Sequence, residues 1–563
     1  MKRFLILPLT FLMLTSTLIG CTEVQKNTEQ ENTTTSDEQN KEDEKPTKAP
    51  YTVEHYKQNI DDDEYTLVIA DTENKTGKIE NYTSAIAKDY DGFTSQKPEQ
   101  LKIAADGSTT VKIYYDRKKI TLTLNLYGGK GDKSITGKYG EAVINATVPT
   151  KTDSLFNGWE PALPATFPLV PTLHTAVWVK ESDTVTSDGC TYTKDMKTLL
   201  TAQKDITTAT IPDGVTKIGE NAFKDCTALT NITIPDNVTE IGTHAFYGCT
   251  SLANITIPDN VTEIGSHAFY SCDKLASITI PDNVTEINDY TFSCCDSLVN
   301  ISIPNNVTKI GDYAFDGCAN LPDITLPDSV TEIGEYAFSD CASLASVTIG
   351  NSVTFIDYYA FSNCSNLENV YIFDLEAWCN IEFESSANPL SNGTNLYLNG
   401  NLVKDLVIPD SVSEIRGAFS GCSSLESVII PDGMTSTGTF SDCSNLTSIT
   451  IPDSVTNIYA YAFSGCSNLT SITIPDGVTE ISYKAFCGCS SLTSITIPDS
   501  VTELSYEAFE DCSNLTSVTF KDTDGWYYYD YNAGGNITID VTDPAQNAIY
   551  LKETYLGKSW YKK

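Results

Sequence analysis

Residues 232–249 read ITIPDNVTEIGTHAFYGC, and the phrase returns with small edits along more than half of the chain. Its Ile-Pro pair, or an equivalent, begins at Ile211, Ile234, Ile257, Ile280, Ile303, Leu326 and Ile349, always 23 residues apart. After an interruption it resumes at Ile408, Ile430, Ile451, Ile474 and Ile497, and it closes at Phe520. The steps of 22 and 21 residues fall at EIRGAFSGC and TSTGTFSDC, where one and two residues are missing before the Phe. A fixed period of this length stacks identical positions on one another, which is the signature of a solenoid.

Each position in the coil has a physical task. In LTNITIP (Leu229–Pro235), Leu229, Ile232 and Ile234 point inward, and the last two alternate with Thr233 as a strand requires. Pro235 supplies no ladder N–H and Pro-Asp suits a turn, so the strand ends there. Val238 and Ile241 of VTEI form a second short inward segment. Gly242 follows, and its equivalents include Gly219, Gly265, Gly311 and Gly334. Asn288 and Asp357 replace it in two coils; both tolerate a left-handed backbone, and a left-handed residue is expected here. Tyr459, Ser482 and Ser505 fit that account less well. Ala245, Phe246 and Cys249 then pack inside before the next Leu.

As it stands here, the consensus CxxLxxIxIPxxVTxIGxxAFxxC resembles the BspA-like leucine-rich repeats of bacterial surface proteins. The resemblance covers about 211–371 and 408–520. It implies a mainly β fold, a leucine-rich-repeat solenoid of about 13 coils whose parallel strands form one sheet. Residues 372–407 break the rhythm and read as an insertion, a longer excursion bearing a hairpin. Residues 181–210 and the aromatic-rich 521–563 are expected to cap the two ends, since an open terminal coil exposes core.

The N-terminus reads as an address. Lys2 and Arg3 precede an apolar run too short to span a bilayer, the pattern of a signal peptide over 1–20. Its ending, LIGC, resembles the bacterial lipobox, which implies an acylated Cys21 as the mature N-terminus and only anchor. Residues 21–50 are polar and charged and read as a disordered tether. From Tyr51 the composition turns β-rich. Residues 51–118, with YTVEHYKQN and DGSTTVKIYYDR, resemble mucin-binding-type modules, and 119–180, with YGE and FNGW, resemble the internalin-type B-repeat. Two small β-grasp-like domains acting as spacers are expected. Phe156 and Trp159 are read as core before ligand contacts.

Lys and Arg number 36 against 75 Asp and Glu, a formal charge of −39. Such a surface repels phosphate backbones and anionic lipid, so no nucleic-acid partner is expected and the membrane is reached only through the lipid anchor. Of seventeen cysteines, twelve share one repeat position from Cys226 to Cys512. One thiol per layer with no His partner suits neither metal nor disulfides, and buried apolar thiols are expected. Cys190, Cys294, Cys379 and Cys487 have no assigned partner. No phosphate loop, nucleophile elbow or HExxH occurs, so neither catalysis, a cofactor nor a metal is expected.

One row invites a ligand. His244, His267, Tyr290, Tyr313, Tyr336 and Tyr359 occupy one repeat position two residues before the buried Phe. A residue there is expected to face solvent, and such a strip suits contact with protein or glycan. The family resemblance implies a lipid-anchored, surface-exposed adhesin of the cell envelope. Its partners would be a host extracellular-matrix or surface protein, or the surface of another bacterium. The alternatives are a glycan-capture protein and a self-associating envelope-structural protein.

Overall fold

The computed structural model describes residues 48–562, apart from 61–63, 69–70, 106, 145–146, 531–534 and 556. The signal peptide, Cys21 and most of the tether therefore lie outside the described residues.

Two small sheets come first. β1 (Lys48–Gln58), β2 (Tyr65–Leu67), β3 (Glu73–Lys78), β4 (Phe93–Ser95) and β5 (Thr110–Arg117) form one. β1 and β5 run parallel at its centre, β2 and β3 pair with β1, and β4 pairs with β5. The last three residues of the expected tether thus belong to β1. The second sheet has the order β7–β6–β9–β8, from β6 (Lys119–Asn125), β7 (Ser134–Lys138), β8 (Ser154–Glu160) and β9 (Leu173–Lys180). In β6 strict alternation buries Ile120, Leu122 and Leu124 and leaves the lysine and threonines outside. Trp159 is buried in this module's core, with Phe156 packed beside it.

The rest of the chain is a β-solenoid of about 14 turns of ~23 residues. Three backbone ladders tie coil to coil. The first pairs the Ile-Thr-Ile strands in register, as Thr210 with Thr233. The second pairs the two-residue VTEI strands, as Ile218, Ile241 and Ile264. In the third, Phe246 N–H donates to Ala268 O at 2.8 Å and Phe269 N–H to Thr291 O at 2.9 Å. Val238, Ile241, Phe246, Cys249 and Leu252 have no exposed surface. The Phe rings stack down the axis, 5.2 Å apart between Phe246 and Phe269.

The cysteine ladder is buried and every thiol in it is free. Each Sγ–H from Cys249 to Cys364 donates to the carbonyl of the Phe at the start of the preceding thiol turn, as Cys318 to Phe292 O at 3.2 Å. The thiol is thus both a small apolar filler and an inter-coil donor.

Two expectations are corrected here. Gly219, Gly242, Gly265, Gly311 and Gly334 are not in the left-handed region. They are needed because coils approach closely: a Cβ on Gly265 would lie 2.5 Å from Thr243 N and 2.8 Å from the Gly242 carbonyl carbon. Asn288, in the same place, instead reaches across to donate to Ile264 O at 2.7 Å. The ring row is itself left-handed, with φ between 53° and 58° from His244 to Tyr359, and so is the residue before each ladder Cys from Asp225 to Asn363.

Residues 372–407 are also less of an excursion than expected. The first ladder continues from Asn369–Ile372 to Asn395–Leu398 across a 26-residue step, and the second from Phe355–Ile356 to Glu382–Phe383. The segment is a coil with a helix, Leu375–Cys379, capped by the Asp374 carboxylate, in place of a turn. The expected hairpin follows, with Asn401–Leu402 pairing back onto Tyr397 and Leu398. At the far end, Trp560–Lys562 pairs antiparallel with Glu503–Leu504, and Trp526 and Trp560 are buried against Phe520.

Candidate functional site

The six residues of the ring row do come together, as one continuous stack. Centroids are 4.7 Å apart for His244–His267, 4.6 Å for His267–Tyr290 and Tyr290–Tyr313, 4.8 Å for Tyr313–Tyr336 and 5.0 Å for Tyr336–Tyr359. They do not face solvent as expected. His244, His267, Tyr290 and Tyr313 are 7%, 0%, 6% and 6% exposed, and Tyr336 and Tyr359 are half-buried. Each ring is carried by a left-handed residue in the turn before the Phe and stacks on its counterparts in the neighbouring coils.

The small modules cover part of this side of the solenoid, so they are not free spacers. The Lys57 ammonium donates to the Tyr358 hydroxyl at 3.3 Å and lies 4.2 Å from the Tyr90 ring centroid and 5.3 Å from that of Tyr358. Arg117 approaches Glu335 at 3.7 Å, with both side chains largely buried, and sits over Phe93 at 4.9 Å. Together these residues line a cleft of about 280 Å³ that reaches Tyr359. In the second module, Trp159 N–H donates to the Glu220 carboxylate at 3.3 Å. A narrow gap lined by Phe156, Trp159 and Leu163 opens onto His244 beside it.

The electrostatics follow from burial. Neither ring nitrogen of His267 has a hydrogen-bond partner, nor does His244 Nε2. Burial, and then the Lys224 charge, lowers His267 to about 3; burial, His267 and Lys224 hold His244 well below its ordinary value. These imidazoles are neutral ring spacers. Burial pushes Glu220 up to about 7 against the opposing hydrogen bonds from Trp159 and Asn221. Asp289 rises to about 6 through burial and the neighbouring Asp312, and Asp357 to about 6 chiefly through burial. Asp289 accepts from Asp312 N–H and Asp312 from Glu335 N–H, both at 2.9 Å, so the carboxylates hold coil to coil. Among the described residues, no group of three His, Cys, Asp or Glu is placed to hold a metal.

Sequence reasoning missed the docking residues Lys57, Arg117, Glu220, Glu335 and Tyr358. The last three sit at one repeat position, immediately before the ring row, which was visible; what would sit on them was not.

The stacked parallel ladders, the Leu and Ile core and the ~23-residue turn define a leucine-rich-repeat protein. The BspA type leucine rich repeat region family matches residues 200–300, 285–392 and 391–516 in six copies, and the chain belongs to this family. Among solved structures it is similar to a leucine rich cell surface protein from Faecalibacterium prausnitzii, at 34% identity over 61% of this chain and 95% of that one, with a TM-score of 0.39. It is similar also to a leucine-rich repeat protein from Bacteroides ovatus, at 30% identity over 59% and 91%, TM-score 0.36. The pneumococcal vaccine antigen PcpA matches at 19% identity over 61% and 88%, TM-score 0.36. No curated protein matches in sequence. The family and its repeat fold give the chain a general protein-interaction role.

Proposed function

We propose that this protein is a non-catalytic adhesin of the bacterial cell surface, anchored by a lipid on Cys21, whose solenoid binds host or bacterial surface proteins. The observation that carries the reading is the use of the chain itself. About 14 turns bury one continuous core, and repeated Thr and Asn side chains donate to carbonyls of the preceding coil. What such a scaffold offers is extended outward surface rather than a unique reactive constellation. The signal sequence and lipobox resemblance support export and anchoring.

Glycan capture by the ring row is the weaker alternative, since most of that row is buried. Self-association is opposed by like charge on every copy. Binding of the whole mature protein to immobilised fibronectin, fibrinogen, mucin and a glycan array tests the choice. Saturable binding to one protein is expected; binding to glycans alone would favour capture, and silence throughout would remove the adhesin reading. For the anchor, Cys21→Ser should release the protein from membranes, and retention of the variant there would contradict a lipid on that residue.

A further inference from the structure

We infer that the interruption of the repeat is a docking surface for a cationic protein segment bearing apolar side chains. This rests on the protein-binding reading above and locates it. Down the outward face of the first ladder, the side chains run in register from Thr325 and Thr348 to Tyr371, Tyr397 and Leu402. On the next sheet they run from Val407 through Ile429 to Thr450. The corresponding residues of the other coils are Thr or Ser, as Thr233, Thr279, Ser302, Thr496 and Thr519. Only around the interruption does the hydroxyl face become apolar.

That apolar strip is open. Leu402 is 39% exposed, Ile429 47%, Phe373 52% and Val407 60%, with both small modules already seated elsewhere on the solenoid. Tyr371 and Tyr397 stack at 4.8 Å and are half-buried, so they form a firm floor. Exposed apolar side chains on two successive sheets, interrupting an otherwise hydroxyl-lined row, mark a candidate protein-contact surface.

Charge selects the partner. Glu368 and Glu376 are exposed close to Tyr371 and Phe373 in sequence, as are Asp374, which caps the helix, and Asp405, which accepts from the Ser427 hydroxyl. Lys404, the cation beside Asp405 and Val407, pairs with Glu426 at 2.5 Å. A second copy of this chain, at −39, brings the same sign and is disfavoured. A Lys- or Arg-rich segment with Val, Leu or aromatic side chains satisfies both the apolar floor and the acidic rim.

The test uses the full mature chain and three labelled ten-residue peptides: Lys alternating with Val and Leu, Glu alternating with Val and Leu, and Lys alternating with Ser. Fluorescence anisotropy should show saturable binding of the first, weakened as salt rises, at least about tenfold tighter than the other two. Tyr397→Thr, Val407→Thr and Ile429→Thr together restore the hydroxyl face and should weaken it about tenfold or more. Because Thr occupies these positions in neighbouring coils, the variant should fold, checked by an unchanged thermal transition. Absence of binding, equal binding of the Lys–Ser peptide, or full affinity in the triple variant each overturns the proposal. The same variant separates the two readings: if the protein binds a surface protein undiminished, the adhesin stands and the strip falls. If the peptide binds the strip while the panel of surface proteins is silent, the reverse holds.

Discussion

Replacing His267 by Phe isolates the cost of keeping an imidazole inside an aromatic stack. The ring has no exposed surface, no hydrogen-bond partner, and lies between His244 at 4.7 Å and Tyr290 at 4.6 Å. The titratable groups facing it are His244, Tyr270, Tyr290 and, at longer range, Lys224, none of which is an anion at neutral pH. Its pKa is therefore about 3, against 6.5 for the free group. Between those values the unfolded chain binds more protons than the folded one, so stability is lost as pH falls. At pH 5 the loss from this residue is about 2 kcal/mol, at 1.36 kcal/mol per pKa unit. Phe keeps the stack and removes the titration. The buried carboxyls act in the opposite sense. Asp289 and Asp357 at about 6, and Glu220 and Glu503 at about 7, contribute most at low pH and lose that contribution as pH rises through those values. They are common to both proteins and cancel in the difference. Urea unfolding at pH 7.5 and 5.0 should show the variant gaining about 2 kcal/mol on the wild type between the two conditions. Parallel changes in the two proteins would refute a neutral, desolvated imidazole at this position.

Three further outcomes are expected. A maleimide added to native protein should label the half-buried Cys294 and Cys487 before any ladder thiol, and mass spectrometry showing Cys318 modified without denaturant would contradict the buried ladder. Gly265→Ala drives a methyl into the Thr243 backbone and should cost about 1–3 kcal/mol by chemical denaturation, whereas Gly393→Ala, with open space around it, should cost about 1 kcal/mol for its φ of 78° alone. Lys57→Ala with Arg117→Ala should raise amide exchange over 335–360 without lowering the protection of the Phe–Cys core; unchanged exchange would mean that these two side chains do not hold the module down.

Much of the fold was legible because repetition over-determines it. Ile232, Thr233 and Ile234 alternate in a strand, and a dozen copies of the same alternation leave no other register. The thiols were legible for the same reason, since one Cys per layer without a converging partner is filler. The turn between VTEI and AF was not legible. Its spacing is the same for a glycine kept for its φ and a glycine kept for close approach, and only coil-to-coil distances separate Gly265 from His267. The ring row was misread at that point: the residue two before the buried Phe246 was expected outside, whereas it is a left-handed turn residue whose ring is buried. The docking of Lys57 on Tyr358 joins residues 301 apart, and neither carries a local signal.

Glu220 and Glu335 occupy the same repeat position, 115 residues and five repeats apart. The second module sits on the one and the first module on the other. Identical coils would ordinarily be interchangeable, and a gene could drop or duplicate any 23-residue unit while every Cys still found a Phe carbonyl beneath it. Here the two modules act as a caliper of fixed opening. With strands about 4.8 Å apart, five coils set a span of about 24 Å between the jaws. Losing one coil between residues 221 and 334 would heal the solenoid yet leave one jaw without its carboxylate, and because Thr52 of the first module also reaches Tyr506, losing one after residue 430 would shift that second foothold. The repeat number is thus counted on both sides of the first module.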